Sequence, residues 1–274
     1  MVGTMKPLAL SPSRANDYLQ CPLKYRLRAI DRIPEPKTEA QVTGTLVHAV
    51  LEEMHAWPRE ERTYPAAVKR IKPAWQKMLI DDSSCADPIA DEYALFVAAR
   101  SLLRGYFEME NPRGFDSHAQ EMYVDAVLPN GVPVRGFIDR VDIAPTGEIR
   151  VVDYKTGKKP SPRFSDEAKF QMRFYALVYW RMFGTIPHQL RLMYLKVIDS
   201  LFLAPSREEL EFFERDLGDL WHKIQSDGQS GNFRPKPSKL CNWCSFQALC
   251  PIYGGTPPEY PGWPGSAAET VPEI

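Results

Sequence analysis

The sequence predicts a mixed α/β fold whose first part is helical and whose two ends are tied by cysteines. Three observations predict it. Apolar residues recur at helical spacing up to about residue 110, and the pattern then changes to period-two alternation in three segments joined by tight turns. One cysteine near the start stands far from three clustered near the end. The 274 residues suffice for one large domain with a substantial core. With 44% hydrophobic and 25% charged residues, disordered and fibrous classes are excluded. At a net charge of −1, a polyanion-binding protein must gather its positive charge on one face.

The opening MVGTMKPLALSPSR lacks the apolar core of a signal peptide, and no apolar run reaches membrane-spanning length. A cytoplasmic protein without membrane contact is therefore expected. In that reducing setting cysteines persist as thiols, metal ligands or catalytic groups.

Leu10 to Ile30 reads as a helix capped at Ser11 or Ser13, with Pro34 and Pro36 ending it. A second helix runs from about Thr43 to His55 on the stripe Leu46, Val47, Val50, Leu51 and Met54. From Tyr64 to about Glu110 two or three more helices follow, with Pro73 and Pro88 as punctuation. Strands are expected over 119–128, 134–143 and 149–154, an antiparallel meander turned at Pro129-Asn130-Gly131 and Pro145-Thr146-Gly147. A helix over 165–183, a strand over 188–197 and a helix over 206–226 complete an α/β core. The chain thus divides, within a single domain over 1–274, into a mainly helical region 10–110, an α/β core 117–228, a cysteine segment 232–251 and a loosely ordered tail 252–274 rich in Pro and Gly.

Cys241, Cys244 and Cys250 form C-x2-C-x5-C, which leaves a tetrahedral or cubane site one sulfur short. Cys21 is the natural fourth ligand, and both it and Cys250 precede proline, a dipeptide that also ends a ferredoxin cluster run. The set predicts a 4Fe-4S cluster; the alternative is a structural zinc ion, against which stands the long separation of Cys21 from the rest. Cys85 has no partner in its neighbourhood and reads as a small buried hydrophobe.

Asp153 and Lys155 stand two apart at the end of a strand, so both point to one face. A carboxylate that can hold a divalent cation, beside an ammonium that can orient water and offset phosphate charge, suits phosphodiester hydrolysis. The pair alone is weak, because Glu35/Lys37 and Glu167/Lys169 repeat it. Its company is distinctive: Asp139 in the preceding strand can share a cation with Asp153, and His48 can supply a third ligand. Taken singly, His48 reads as a packed histidine, Asp139 as a strand edge ion-paired with Arg140 and Asp142, and Gln171 and Tyr175 as helix packing. Glu121 is left outside the site.

In order, Gly44-x3-His48, Gly136-x2-Asp139, Asp153-Tyr-Lys155 and Gln171-x3-Tyr175 resemble the RecB-like branch of the PD-(D/E)XK nucleases. With four cysteines outside these motifs, the chain is similar to the iron-sulfur subset that includes AddB-type and CRISPR-adaptation nucleases, over about Ser11 to Pro251. The resemblance implies a restriction-endonuclease-like core, a mixed sheet flanked by helices, with an iron-sulfur clasp. It implies that His48, Asp139 and Asp153 bind Mg2+ or Mn2+ with help from the Tyr154 carbonyl, that Lys155 positions water, and that Gln171 and Tyr175 touch the substrate strand. It does not carry over a substrate preference, since the region before the first strand is mostly acidic and helical.

The expected partner is DNA, single-stranded or with free ends, cut by a DNase of repair or recombination, with a helicase or recombination protein alongside. The alternative is a non-catalytic DNA-end-binding or helicase-partner subunit. Charge agrees with a polyanion: Arg14, Lys24, Arg26, Arg28 and Arg32 surround Cys21, and residues 150–173 hold seven bases against three acids with Phe164, Phe170 and Phe174 interleaved for stacking.

Overall fold

Pro22 divides the helix expected over 10–30. The computed structural model describes residues 8–161 and 166–265. In it α1 covers Pro12–Gln20 and is capped by Ser11, whose side chain accepts from the Arg14 N–H. Cys21 is extended (φ −162°) because the following proline ring disfavours helical backbone before it. The chain then re-forms a helix as α2 (Pro22–Tyr25) and a π-helical turn (Arg26–Ile30). Cys21 therefore sits at a corner, its N–H closing α1 on the Asp17 carbonyl and its own carbonyl accepting from the Tyr25 N–H of α2.

Three helices follow. A capping box between Thr38 and Gln41 starts α3 (Glu39–His55), and Thr63 caps α4 (Tyr64–Asp81). Asp91 caps α5 (Glu92–Met109). Pro73, expected to separate helices, lies inside α4 on its exposed side, where the carbonyl it leaves unpaired can reach water. The α3 stripe buries Leu46, Val50, Leu51 and Met54 against Ile71, Trp75, Leu95 and Tyr106. Each such side chain stabilises by roughly 1.5–3 kcal/mol.

The sheet runs β1 (Ala119–Val127), β2 (Pro133–Ile143), β3 (Ile149–Lys155), β4 (Gln189–Tyr194) and β5 (Asp199–Leu203), in that spatial order. The expected meander is present, since β1 to β3 pair antiparallel. The chain then crosses through α6 (Asp166–Phe183) to β4, which is parallel to β3, and β5 turns back antiparallel. The last strand is not evident in the sequence, because its residues Asp199–Leu203 are only half-buried at a sheet edge and alternate weakly. Finally α7 (Arg207–Ser230) begins with a Ser206/Glu209 capping box.

Alternate faces of β3 and β4 feed two cores. Val151, Leu190 and Leu192 pack towards α6 and α7, whereas Val152, Tyr154 and Met193 pack towards α3, α4 and α5. A central parallel pair covered on both faces is the arrangement such a crossover requires. The site lies where β3 ends between these two helical layers.

The tail departs from expectation. Residues 252–265 are held in place: Tyr260 donates to the Gly228 carbonyl, Trp263 lies against Trp221, and the Leu8 N–H bonds to Gly265 O. Aromatic anchors outweigh the Pro and Gly content there. Residues 266–274 lie outside those described.

Candidate active site

β2 and β3 end side by side, and this brings the expected carboxylates together. Beyond the Arg140↔Val152 pair the next rung holds Asp139 and Asp153, and Asp139 Oδ2 accepts from the Tyr154 N–H at 2.7 Å. At Gly136 a Cβ would lie a tight 3.1 Å from Tyr175 Cε1, so a side chain there would press on the ring. The spacing of Gly136 from Asp139 thus lets α6 approach the sheet beside the carboxylate. A Cβ on Gly44 would likewise lie 3.1 Å from Thr156 Oγ1, just past β3.

His48 enters from α3, on the other layer. Its Nε2 lies 2.9 Å from the Tyr154 carbonyl oxygen, which can only accept, so Nε2 donates to it and Nδ1 is turned to the carboxylates. That nitrogen faces Asp139 Oδ2 at 3.4 Å and Glu121 Oε1 at 3.9 Å. Electron-rich atoms so arranged repel unless a cation or proton lies between them. Among the described residues, His48, Glu121 and Asp139 form the group whose donor atoms lie within 4.8 Å of one another. One imidazole nitrogen and two carboxylates suit a hard divalent ion such as Mg2+ or Mn2+. The Tyr154 carbonyl, expected to join the ligands, is instead bonded to the histidine ring.

Glu121 is the member that sequence reading misses. Met122, Val124 and Ala126 pack on the α6 side, and so does Ala119; Val134 and Ile138 do, and so does Val141. Alternation therefore slips by one residue in both strands at the same rung, where Glu121 adopts a left-handed backbone (φ 41°). The only available signal was its place opposite Asp139 in the hairpin, between the pairs Gln120↔Arg140 and Met122↔Ile138.

Asp153 stands beside this group and is held by two partners. Its Oδ1 accepts from Gln171 Nε2 at 2.7 Å, and its Oδ2 is 2.8 Å from Lys155 Nζ. Lys155 Nζ also donates to Gln171 Oε1 at 2.7 Å. Both ends of the Gln171 amide are thus engaged with the Asp153–Lys155 pair. Tyr175, one helical turn on, lines the neighbouring cavity with Gln171 and Asp139.

Burial, and then the Asp153 charge, push the Asp139 carboxyl well above the usual range. Burial also raises Glu121; His48 opposes this, while Glu52 and Asp153 add to it. For Lys155 burial works against the charged form, but Asp153 and Asp139 outweigh it and hold the pKa above its ordinary value. Lys155 is therefore a cation and donor at neutral pH, not a base. Burial lifts the Tyr175 phenol too, so it stays protonated.

Behind the site lies a buried ion network. Arg140, fully buried, donates to Tyr154 Oη at 2.8 Å and pairs with Glu110 at 2.7 Å and Asp142 at 3.0 Å. Glu110 also meets Arg150 and Arg191. Arg140 and Asp142 do form ion pairs, but in the interior next to the helical layer, so Asp139 is not part of a solvated strand edge.

The four cysteines converge as well. Cys21, Cys241, Cys244 and Cys250 line one cavity of about 320 Å³ with Trp243 and Leu240. The Lys236 N–H points at Cys21 Sγ (3.4 Å) and the Ser238 N–H at Cys241 Sγ (3.3 Å). Cys85 is buried as expected, in contact with Lys37 Nζ at 3.1 Å.

Two charge expectations change. Around Cys21, Lys24 and Arg28 pair with Asp17, and Arg26 with Asp31. Phe174 is fully buried and Phe170 packs on Phe213, so neither is offered to bases; Phe164 lies outside the described residues. No helix among the described residues is long and apolar enough to cross a membrane.

The family model for the PD-(D/E)XK nuclease superfamily matches residues 9–251. The Gene 69 protein of Mycobacterium phage D29 is 24% identical over 269 residues, covering 89% of this chain and 96% of that protein. The Gene 69 protein of Mycobacterium phage L5 is 28% identical over 127 residues, 45% of this chain and 41% of its own length. A crystal structure of a candidate exonuclease from Eubacterium rectale superposes with a TM-score of 0.57 at 13% identity, over 86% of each chain, a likeness of fold. With the match spanning both the acidic site and the cysteine segment, the chain belongs to the PD-(D/E)XK nuclease superfamily and is a phosphodiester hydrolase.

Proposed function

We propose that the protein is a metal-dependent DNase of the RecB-like, iron-sulfur kind, acting on single-stranded or free-ended DNA as an exonuclease in repair or recombination. The observation that carries the catalytic part is the convergence of His48 Nδ1 on Asp139 and Glu121, with Asp153 and Lys155 clamped alongside. His48, Asp139 and Glu121 hold Mg2+ or Mn2+, with Asp153 at its flank as a further ligand. When bound, the ion supplies Lewis-acid polarisation of the phosphate and a more acidic water.

The chain's own residues do the rest. Gln171 keeps Asp153 and Lys155 in register. Lys155, held protonated, directs its N–H bonds to the attacking water and to the charge that grows on the phosphate. Tyr175, a protonated phenol at the cavity wall, donates to a neighbouring phosphate oxygen.

Cys21, Cys241, Cys244 and Cys250 hold a 4Fe-4S cluster that staples the first helix to the last segment. Their lining of one cavity supports a shared site, and the long separation of Cys21 from the other three in the chain favours a cluster over zinc. The protein works in the cytoplasm, with a helicase or recombination protein as its partner.

The test is degradation of end-labelled single strands, and of strands with blocked ends, in Mg2+ or Mn2+. Wild type should shorten the free-ended strand, while Asp153→Ala and Lys155→Ala should abolish cleavage and keep the visible colour and fold. Unchanged cleavage by both variants would refute the assignment, and cutting of blocked strands would refute the exonuclease part.

A further inference from the structure

Tyr123 on β1 and Phe137 on β2 face each other as a cross-strand pair, with ring centroids 5.1 Å apart. Both are half in solvent, 51% and 53% exposed. Scattered exposed aromatics are ordinary, but two adjacent rings are not covered without reason when the rest of the hairpin is buried on its core side. The Tyr123 hydroxyl donates to Asp125 at 2.6 Å, which fixes its ring.

The pair shares a cavity with part of the site. A hollow of about 520 Å³ is lined by Tyr123 and Phe137 together with Asp139, Gln171, Tyr175, Arg14 and Arg135, while His48, Glu121 and Lys155 line a second cavity. Phe137 precedes Asp139 by two residues, about 7 Å along the strand. That is of the order of one extended nucleotide. The Arg135 Nε is buried with no hydrogen-bond partner among the described residues, and its terminal nitrogen pairs with Asp125 at 3.7 Å, which places the guanidinium charge on the cavity lining.

We propose that Tyr123 and Phe137 are a stacking platform for unpaired bases of a single DNA strand whose adjacent phosphate lies at Asp139. This rests on the nuclease reading of the site and adds the residues that hold the unpaired bases. A duplex has both faces of each base already stacked, so only an unpaired strand can gain from two free rings. Arg135 and Arg14 neutralise the phosphates that flank the stacked bases. Stacking on an aromatic side chain contributes about 1–3 kcal/mol per base, or roughly 5- to 150-fold in affinity.

The experiment measures binding and cutting separately on the full-length protein. A labelled oligothymidylate, the same strand with abasic positions, and a closed hairpin duplex are titrated by fluorescence anisotropy in Ca2+, then digested in Mn2+. Wild type should bind the abasic strand at least about tenfold more weakly than the intact one. The double variant Tyr123→Ala/Phe137→Ala should bind the intact strand as weakly as wild type binds the abasic one, and should no longer distinguish them. Tyr123→Phe/Phe137→Trp should keep the distinction. Equal binding of intact and abasic strands by wild type, or an Ala variant that still discriminates, overturns the platform. Loss of discrimination in the Phe/Trp variant also overturns it, by assigning the rings a structural role. Absence of cleavage of every strand by wild type fails the nuclease reading instead, and binding decides the platform independently.

Discussion

His48 and Asp139 meet across the sheet end, Nδ1 to Oδ2 at 3.4 Å, although one comes from a helix on one layer and the other from a strand. The histidine orientation is set by the Tyr154 carbonyl, and Tyr154 in turn is anchored through its hydroxyl to the buried Arg140. The interior network therefore aims the candidate ligand, as outer partners of metal-binding histidines commonly do.

Metal should stabilise the fold through this group. The raised carboxyls of Asp139 and Glu121 signal crowding without an ion, so Asp139→Asn and Glu121→Gln should melt no lower than wild type in chelator. At Mn2+ a hundredfold above its dissociation constant wild type should gain about 2.7 kcal/mol, a rise of about 5 °C. Both variants should lose most of that gain in a calorimetric scan.

Gln171 should govern turnover more than binding. Gln171→Ala frees Asp153 and Lys155 from their shared clamp, and kcat should fall on the order of 100-fold with little change in KM. Gln171→Glu should be worse, since it places a carboxylate against Asp153. Single-turnover kinetics at saturating DNA reads the effect.

Cys21 should matter as much as its distant partners. Cys21→Ser should lose iron, sulfide and visible absorption, and the segment 232–251 should become open to protease. Cys85→Ser, in the helical layer, should keep all three. Metal and sulfide analysis on anaerobically prepared protein separates the two outcomes, and zinc in place of iron would overturn the cluster.

Acid should weaken the protein through His55. Burial, and then the Arg140 charge, hold this imidazole down to about 3 in the folded state. The unfolded chain takes up that proton near pH 6.5. Unfolding therefore gains a proton across this window, so stability falls as pH drops from about 6.5 to about 3. Urea midpoints measured against pH should show the slope, and His55→Gln should flatten it.

Local chemistry in the chain was enough for much of this. The period-two segments and their Asn-Gly and Thr-Gly turns defined the meander, and Asp153 and Lys155 lie on one face because side-chain direction in a strand is a local property. Spacing grouped Cys241, Cys244 and Cys250, and Cys21, added as a fourth sulfur, lines one cavity with them. Helix ends were mostly legible from caps, except at Cys21, where the effect of the next proline divided one helix into two.

Only the tertiary structure decided which charges meet. Glu121 joins His48 because the alternation slips in two paired strands at one rung, an event that neither strand records by itself. Gln171 became a clamp, and Phe170 and Phe174 became core, because the packing of α6 on the sheet fixes where each side chain ends. The tail is held by Tyr260 and Trp263 against surfaces formed by residues far earlier in the chain. Periodicity carries information over a few residues, whereas a site assembled from α3, β1, β2, β3 and α6 depends on long-range packing.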